Sequence, residues 1–114
     1  MKLKIEVNGE DYIKTFFSIL NTGVFECIKK NKLSVHQAEE ILFFTKVQFM
    51  LEGAIPEVGD VIHEGTELGF IERHVPHKLQ ENIDRLQQKS LDSIGFDENF
   101  NKHINYILDK GKPI

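Results

Sequence analysis

The sequence predicts a mostly α-helical single domain of about six helices spanning residues 1–114, and it leaves open one short strand at the N-terminus. Three observations lead to this fold class. The length of 114 residues suits one domain. Apolar residues recur at helical spacing along most of the chain, and Ser, Pro and Gly bound these stretches as helix caps and breakers do. The hydrophobic content of 40% and the charged content of 28% are those of an ordinary globular protein.

The N-terminal segment predicts a strand followed by a helix. Residues 2–7 alternate between polar and apolar, which is typical of a strand, and Asn8-Gly9 suits a turn. Because one strand is not stable alone, it must pair with another strand or belong to the start of the first helix. Apolar spacing predicts a helix over residues 10–30, with an interruption at residues 21–23. Either two short helices meet there, or one helix packs closely against a neighbour at Gly23.

The next segment predicts a capped and deeply buried helix. Ser34 and Gln37 have the spacing of a capping box, in which each side chain accepts a hydrogen bond from the other residue's backbone amide. The helix that Ser34 opens is predicted to run to about Glu52 and to end at Gly53. Apolar residues cover most of its circumference, which is typical of a central helix enclosed by others.

The middle of the chain predicts two short helices joined at a glycine. Pro56 suits the first position of a helix that ends at Gly65. Thr66 suits the N-cap of a second short helix that continues to about His74.

The C-terminal third predicts two more helices. Pro76 begins a longer helix that Gly95 ends. Asp97 is expected to cap a last helix, closed by Gly111 and Pro113. The residues of that last helix expected to face the core are Phe100, Ile104, Ile107 and Leu108.

The charge distribution narrows the classes of partner. The chain carries 14 basic and 18 acidic residues, a net charge of −4, and the excess of acids lies in its second half. An acidic surface disfavours contacts with a phosphate backbone, so no nucleic-acid partner is expected.

No stretch approaches the roughly 20 apolar residues of a membrane span, and no signal peptide is recognisable. We therefore expect a cytoplasmic protein without a membrane partner.

Residues 52–72 form the most conspicuous stretch, because they contain six carboxylates and neither Lys nor Arg. This run is either one solvated face or a docking surface for a basic protein partner. No catalytic residue is assigned, so the leading hypothesis is a non-enzymatic protein-binding module, comparable to immunity proteins or antitoxins. A homodimer or other homo-oligomer joined through strand 2–7 is a further hypothesis. The residues expected to bind the basic protein partner are Glu57, Asp60, Glu64, Glu67 and Glu72.

The alternative hypothesis is an enzyme that uses a metal or a His/Glu pair. His63 and Glu67 are four residues apart, as metal ligands on one helix face often are, and His74 or His77 would complete the set. Gly65 argues against this site, because it would lie inside the helix that must hold the ligands rigidly. The chain also lacks a Gly-x-Ser-x-Gly elbow and a phosphate-binding glycine loop. We therefore expect no cofactor and no metal.

The chain resembles a family of small bacterial proteins of unknown function and of about this length. The positions that carry the resemblance are Leu20-x-x-Gly23, Ser34, Ala38-Glu39, Phe43, His63-x-Gly65-Thr66-Glu67-Leu68 and Pro76. The resemblance covers roughly residues 12–95 and implies one small helical domain without an assigned activity. Two acidic residues follow Leu68 in that family, whereas this chain has Gly69-Phe70, which weakens any role for charge there.

Overall fold

Six α-helices and one pair of short strands make up the fold in the computed structural model, which describes residues 1–111. The helices are α1 Glu10–Lys29, α2 Val35–Ile41, α3 Thr45–Glu52, α4 Pro56–Gly65, α5 Leu68–His74 and α6 Leu79–Asp92. The strands are β1 Lys2–Val7 and β2 Ile104–Asp109, and short 3₁₀ turns cover Pro76–Lys78 and Phe100–His103. The predicted mostly helical class is confirmed, and residues 2–7, which the sequence left open, form a strand. Among the described helices, none is long and apolar enough to cross a membrane.

Helix α1 is continuous through the interruption that the sequence indicated. A Cβ atom built on Gly23 would contact nothing within 4 Å, so the prediction of close packing at this glycine is wrong. The helix instead tolerates Gly23 on an exposed part of its surface. Its buried residues lie on the opposite side and pack along α6, where Ile83 and Leu86 are buried.

A polar cluster joins α1 to α6 at the edge of this packing. The Lys29 Nζ donates a hydrogen bond to Gln87 Oε1 at 2.8 Å and lies 3.0 Å from the Asp84 carboxylate. The Gln87 amide in turn donates to the Glu26 carboxylate at 2.9 Å and to the Thr22 carbonyl at 3.2 Å. Because Gln87 is buried, these bonds replace the water that its amide loses on folding.

The capping box at Ser34 is confirmed, with both reciprocal hydrogen bonds present. The long buried helix predicted to follow it is wrong, because the chain leaves helical geometry after Ile41 and resumes it at Thr45. The resulting α2 and α3 are separate, and Ile41, Phe49 and Met50 are exposed rather than enclosed.

Phe43, in the link between α2 and α3, explains the break. Its side chain is buried and stacks on Phe25 of α1, with ring centroids 4.9 Å apart. The same ring lies against α4, because a Cβ atom built on Gly65 would lie only 2.7 Å from its Cγ. A continuous helix would give up this contact, and burying a Phe side chain contributes roughly 1.5–3 kcal/mol.

The junction between α4 and α5 differs in detail from the prediction. Pro56 begins α4 and Gly65 ends it, as predicted. Thr66 does not cap α5, however: its hydroxyl donates backwards to the carbonyl of His63 at 2.5 Å, and Glu67 occupies the N-cap position of α5. Glycine is required at position 65 by the neighbouring Phe43 ring and not by a positive φ angle.

The predicted C-terminal helix is wrong, because residues 104–109 form a strand. Asp97 accepts a hydrogen bond from the amide of Asn99 at 2.8 Å and so closes a local turn instead of capping a helix. Strand β2 pairs antiparallel with β1, and none of its residues is buried. Of the two residues expected to close the helix, Gly111 has a φ of 84° after the strand, and Pro113 lies outside the described residues.

The contact between Gly65 and Phe43 gives the first prediction. Gly65→Ala should destabilise the protein by about 1–3 kcal/mol, because the new methyl group overpacks a filled core. Gly53→Ala is the matched control: position 53 has a helical φ of −75° and open space around it. That substitution should be neutral or stabilising by up to about 1 kcal/mol. Urea unfolding of both variants measures the difference, and equal effects would contradict the packing account.

Candidate functional site

Helix α4 presents an acidic stripe to solvent. Glu57, Asp60 and Glu64 are spaced by three and four residues, so they lie on one face of the helix. Glu67 follows at the N-cap of α5. Glu57, Asp60 and Glu67 are exposed and Glu64 is half-buried. The opposite face of α4 is anchored in the core by Val58, Val61 and Ile62.

Basic side chains from other helices partly neutralise this stripe. Glu64 accepts hydrogen bonds from Arg85 at 3.0 Å and from Lys89 at 3.2 Å, both on α6. Glu57 lies 3.8 Å from Lys14 of α1. Residues 52–72 contain neither Lys nor Arg, but the fold places three basic side chains from α1 and α6 beside their carboxylates.

The ion pairs of Glu64 change its acidity. Partial burial acts to raise the pKa of this carboxyl, but the hydrogen bonds and positive charges of Arg85 and Lys89 outweigh it. The net effect is a pKa below the ordinary value. Glu64 therefore stays ionised and engaged within the domain, and it is the member of the stripe least free to bind another molecule.

Within the part of the chain that the structure describes, three other acids of the predicted surface lack an ion pair with Lys or Arg. Among residues 1–111, Asp60 and Glu72 have no basic side chain within ion-pair distance, and Glu67 pairs only with His63. Asp60 lines an open cleft of about 380 Å³ together with Glu52, His63, Glu64 and Lys89. Glu72 lies on α5, is exposed and does not line this cleft.

His63 is held at one side of the cleft by polar neighbours. Its Nδ1 lies 2.5 Å from the side-chain nitrogen of Gln48, and its Nε2 lies 3.3 Å from a carboxylate oxygen of Glu67. The Gln48 amide also donates to Glu52 at 3.1 Å, and that carboxylate is 3.8 Å from His63 Nδ1. Gln48 is buried, so it forms a fixed support for an imidazole that is itself exposed.

The four candidate metal ligands do not gather at one place. His63 and Glu67 are neighbours, as their spacing predicted. His74 instead packs on Phe70 with ring centroids 4.4 Å apart, and His77 lies in the following 3₁₀ turn. Within residues 1–111, no group of three or more His, Cys, Asp or Glu side chains could hold a metal ion.

Gln48 is the site residue that sequence reasoning missed. It lies in the apolar run Val47 to Leu51, where the sequence alone predicts that a polar side chain faces solvent. One signal was present, since Gln48 and Glu52 are separated by four residues and such pairs meet on a helix. The contact with His63 depends on how α3 packs against α4, which the spacing does not reveal.

The comparisons with known proteins identify the family and no activity. A family described as "Protein of unknown function (DUF3969)" matches residues 8–109. The chain belongs to the DUF3969 family. The match begins earlier and ends later than the region of resemblance inferred from sequence, and it includes β2. No curated protein and no solved structure matches the chain.

One departure from the resemblance has a structural counterpart in this DUF3969 member. Gly69 is buried on α5, and a Cβ atom built there would collide with the carboxylate of Glu39 on α2. The Arg73 guanidinium lies beside the same position, so an acidic side chain there would meet one like and one opposite charge. Phe70 is exposed and contacts His74. The two positions therefore have different surroundings, one closed and one open to solvent.

The lowered pKa of Glu64 gives the second prediction. A carboxyl whose pKa is lower in the folded protein contributes stability above its unfolded pKa and loses it as the pH falls through the folded pKa. We expect wild type to lose more stability than Glu64→Gln as the pH is lowered from neutral through and below the ordinary Glu value of 4.5. At neutral pH the variant should be less stable by about 0.5–1 kcal/mol, as for a partly exposed ion pair.

The matched control is Glu81→Gln, which removes an exposed acid from α6. Its pH profile of the unfolding free energy should parallel that of wild type. Parallel profiles for wild type and Glu64→Gln would contradict the assigned ion pairs.

Proposed function

We propose that this protein is a non-enzymatic protein-binding module of the bacterial cytoplasm that docks a basic protein partner on its acidic surface. We define the acidic surface as Glu57, Asp60, Glu64, Glu67 and Glu72. The observation that carries the proposal is the state of Asp60, Glu67 and Glu72. These three carboxylates are exposed, and among the described residues none of them pairs with Lys or Arg.

The arrangement favours a cationic partner for a physical reason. An exposed carboxylate that forms no ion pair with Lys or Arg keeps much of its negative field, which attracts a basic partner and accelerates encounter. A Lys or Arg side chain entering the cleft beside Asp60 would also approach Glu52. Glu64 would contribute less, because Arg85 and Lys89 already neutralise it. Binding is therefore expected to centre on Asp60 and Glu67.

The proposal also fits the overall charge of the chain. A small domain with a net charge of −4 and an acidic face has the character of immunity proteins and antitoxins, which cover a basic surface of their target. In such a role the domain needs a rigid face more than a catalytic centre. Helix α4 supplies that rigidity, because its inner face is buried in the core.

A second candidate is a His/Glu-based enzyme centred on His63 and Glu67. The observation in its favour is the buried Gln48, which holds one side of the imidazole while Glu67 meets the other. An imidazole positioned in this way could transfer a proton. His74 and His77 add nothing to this centre, since they lie on α5 and in the turn after it.

The third prediction tests the binding proposal by reversing charge. The triple variant Asp60→Lys, Glu67→Lys and Glu72→Lys should lose a partner that tagged wild type captures by cross-linking in the native cells. The control reverses three other exposed acids, Glu81→Lys, Asp92→Lys and Glu98→Lys, which gives the same change in net charge. Because only the first set alters the acidic surface, the control should retain the partner.

Salt dependence completes the test. The purified complex of wild type with that partner should weaken by about tenfold or more between low and physiological salt, because interactions between exposed charges are screened beyond a Debye length of about 8 Å at physiological ionic strength. Equal capture by both triple variants would contradict the acidic surface as the binding site. Stoichiometric metal bound by His63 in protein purified without added ions would favour the enzyme instead.

A further inference from the structure

The two-stranded ribbon formed by β1 and β2 is incomplete as a sheet. In residues 1–111 the sheet contains these two strands alone, so each has one edge without backbone partners. A ribbon of two strands is only marginally stable in water unless further strands or a helix support it. Of its twelve residues only Val7 and Ile104, at the end nearest the helices, are partly buried, and the other ten are exposed. Ile5 and Val7 also line an apolar cleft with residues of α1 and α3, so the helices support the ribbon mainly at that end.

One face of this ribbon is entirely apolar. The antiparallel register places apolar residues opposite one another at every second position. Leu3 and Tyr106 remain 57% and 60% exposed, and Ile5 and Leu108 are similarly open. With side chains of this size, the four residues present roughly 400 Å² of apolar surface, which is comparable to the largest patch on a typical monomer. The pairs on this face are Leu3 with Leu108, Ile5 with Tyr106, and Val7 with Ile104.

The two free edges differ in how well they are protected. Edge strands commonly avoid unwanted pairing by carrying Lys, Pro or a bulge. Strand β1 has this protection, since Lys2 and Lys4 alternate with its apolar residues. Strand β2 reads Ile-Asn-Tyr-Ile-Leu before Asp109, with no basic residue, no Pro and a continuous register. The free edge of β2 is therefore open to another strand.

The sequence of β2 is complementary to itself. In an antiparallel pair centred on Tyr106, Ile104 of one copy lies opposite Leu108 of the other, and Asn105 lies opposite Ile107. No two like charges meet, and Ile104, Tyr106 and Leu108 of both copies share one face, while Asn105 and Ile107 lie on the other. Strand β1 could pair with itself about Ile5, with Lys4 opposite Glu6, so the two strands differ in the edge protection that Lys2 and Lys4 give β1 and not in self-complementarity.

We propose that β2 pairs antiparallel with β2 of a second copy of this chain, about a two-fold axis at Tyr106. The product is a four-stranded sheet in the order β1-β2-β2-β1 with one continuous apolar face. The joining strand is the one at residues 104–109, and not strand 2–7. An edge of six residues buries less than the roughly 1,200 Å² of a standard interface, which places the dimer among weak, transient ones.

The fourth prediction concerns the oligomeric state. Analytical ultracentrifugation of wild type from about 1 µM to about 200 µM should show a shift from monomer to dimer, the range expected of a small interface. Tyr106→Lys places two like charges opposite each other at the axis and should raise the dissociation constant at least about tenfold. Leu3→Lys is the matched control, because it changes an equally exposed residue on the same face but on β1. It should dimerise as wild type does.

Disulfide trapping tests the register directly. Residues opposite each other in an antiparallel pair have Cβ atoms about 4.5–5.5 Å apart, close to the distance a disulfide spans. In a Cys27→Ser background, Tyr106→Cys should form a covalent dimer on mild oxidation, whereas Leu3→Cys should form little. Circular dichroism of each variant establishes that it is folded.

Three outcomes would overturn the proposal. The first is wild type that stays monomeric at every concentration. The second is a dimer that Tyr106→Lys leaves unchanged, or that Leu3→Cys traps as efficiently as Tyr106→Cys. The third is that wild type forms no dimer but binds a different protein, and that Tyr106→Lys abolishes this binding. In that case β2 accepts a strand from that protein and not from a second copy.

Discussion

The packing of Phe43 between Phe25 and Gly65 is the constraint on which the rest of the structure depends. One buried ring contacts α1 on one side and the last residue of α4 on the other. To reach that place the chain must leave helical geometry between α2 and α3, and position 65 must lack a Cβ atom. The end of α4 is thereby fixed, and with it the direction in which the acidic face of α4 points.

Most of the helical fold could be predicted from the sequence because its signals are local. The capping box at Ser34, the first turn at Pro56 and the end at Gly65 each act within a few residues. The predictions fail where contacts between residues far apart in the sequence determine the local secondary structure. The apolar run around Phe43 is compatible with a helix, yet burial against Phe25 outweighs that preference. Residues 104–109 have helix-compatible spacing, but their partner β1 lies at the other end of the chain.

The candidate site shows the same division between local and distant signals. The acidic residues and the pair His63 and Glu67 were visible, because they lie on consecutive turns of one segment. The cations that neutralise Glu64 were not, because they lie 21 and 25 residues further along the chain and α6 brings them back to it. Helix α6 therefore has two roles. It holds α1 through Gln87 and the Lys29 ion pair, and it neutralises Glu64 through Arg85 and Lys89.

A double-mutant cycle between Phe43 and Gly65 tests the central packing claim most directly. Urea unfolding of Phe43→Leu, Gly65→Ala and the double variant gives the interaction free energy of the two positions. If the ring and the glycine pack as described, the smaller Leu relieves the added methyl group, and the coupling should be about 1 kcal/mol or more. Effects that add within about 0.5 kcal/mol would show that the two residues are independent and contradict the account.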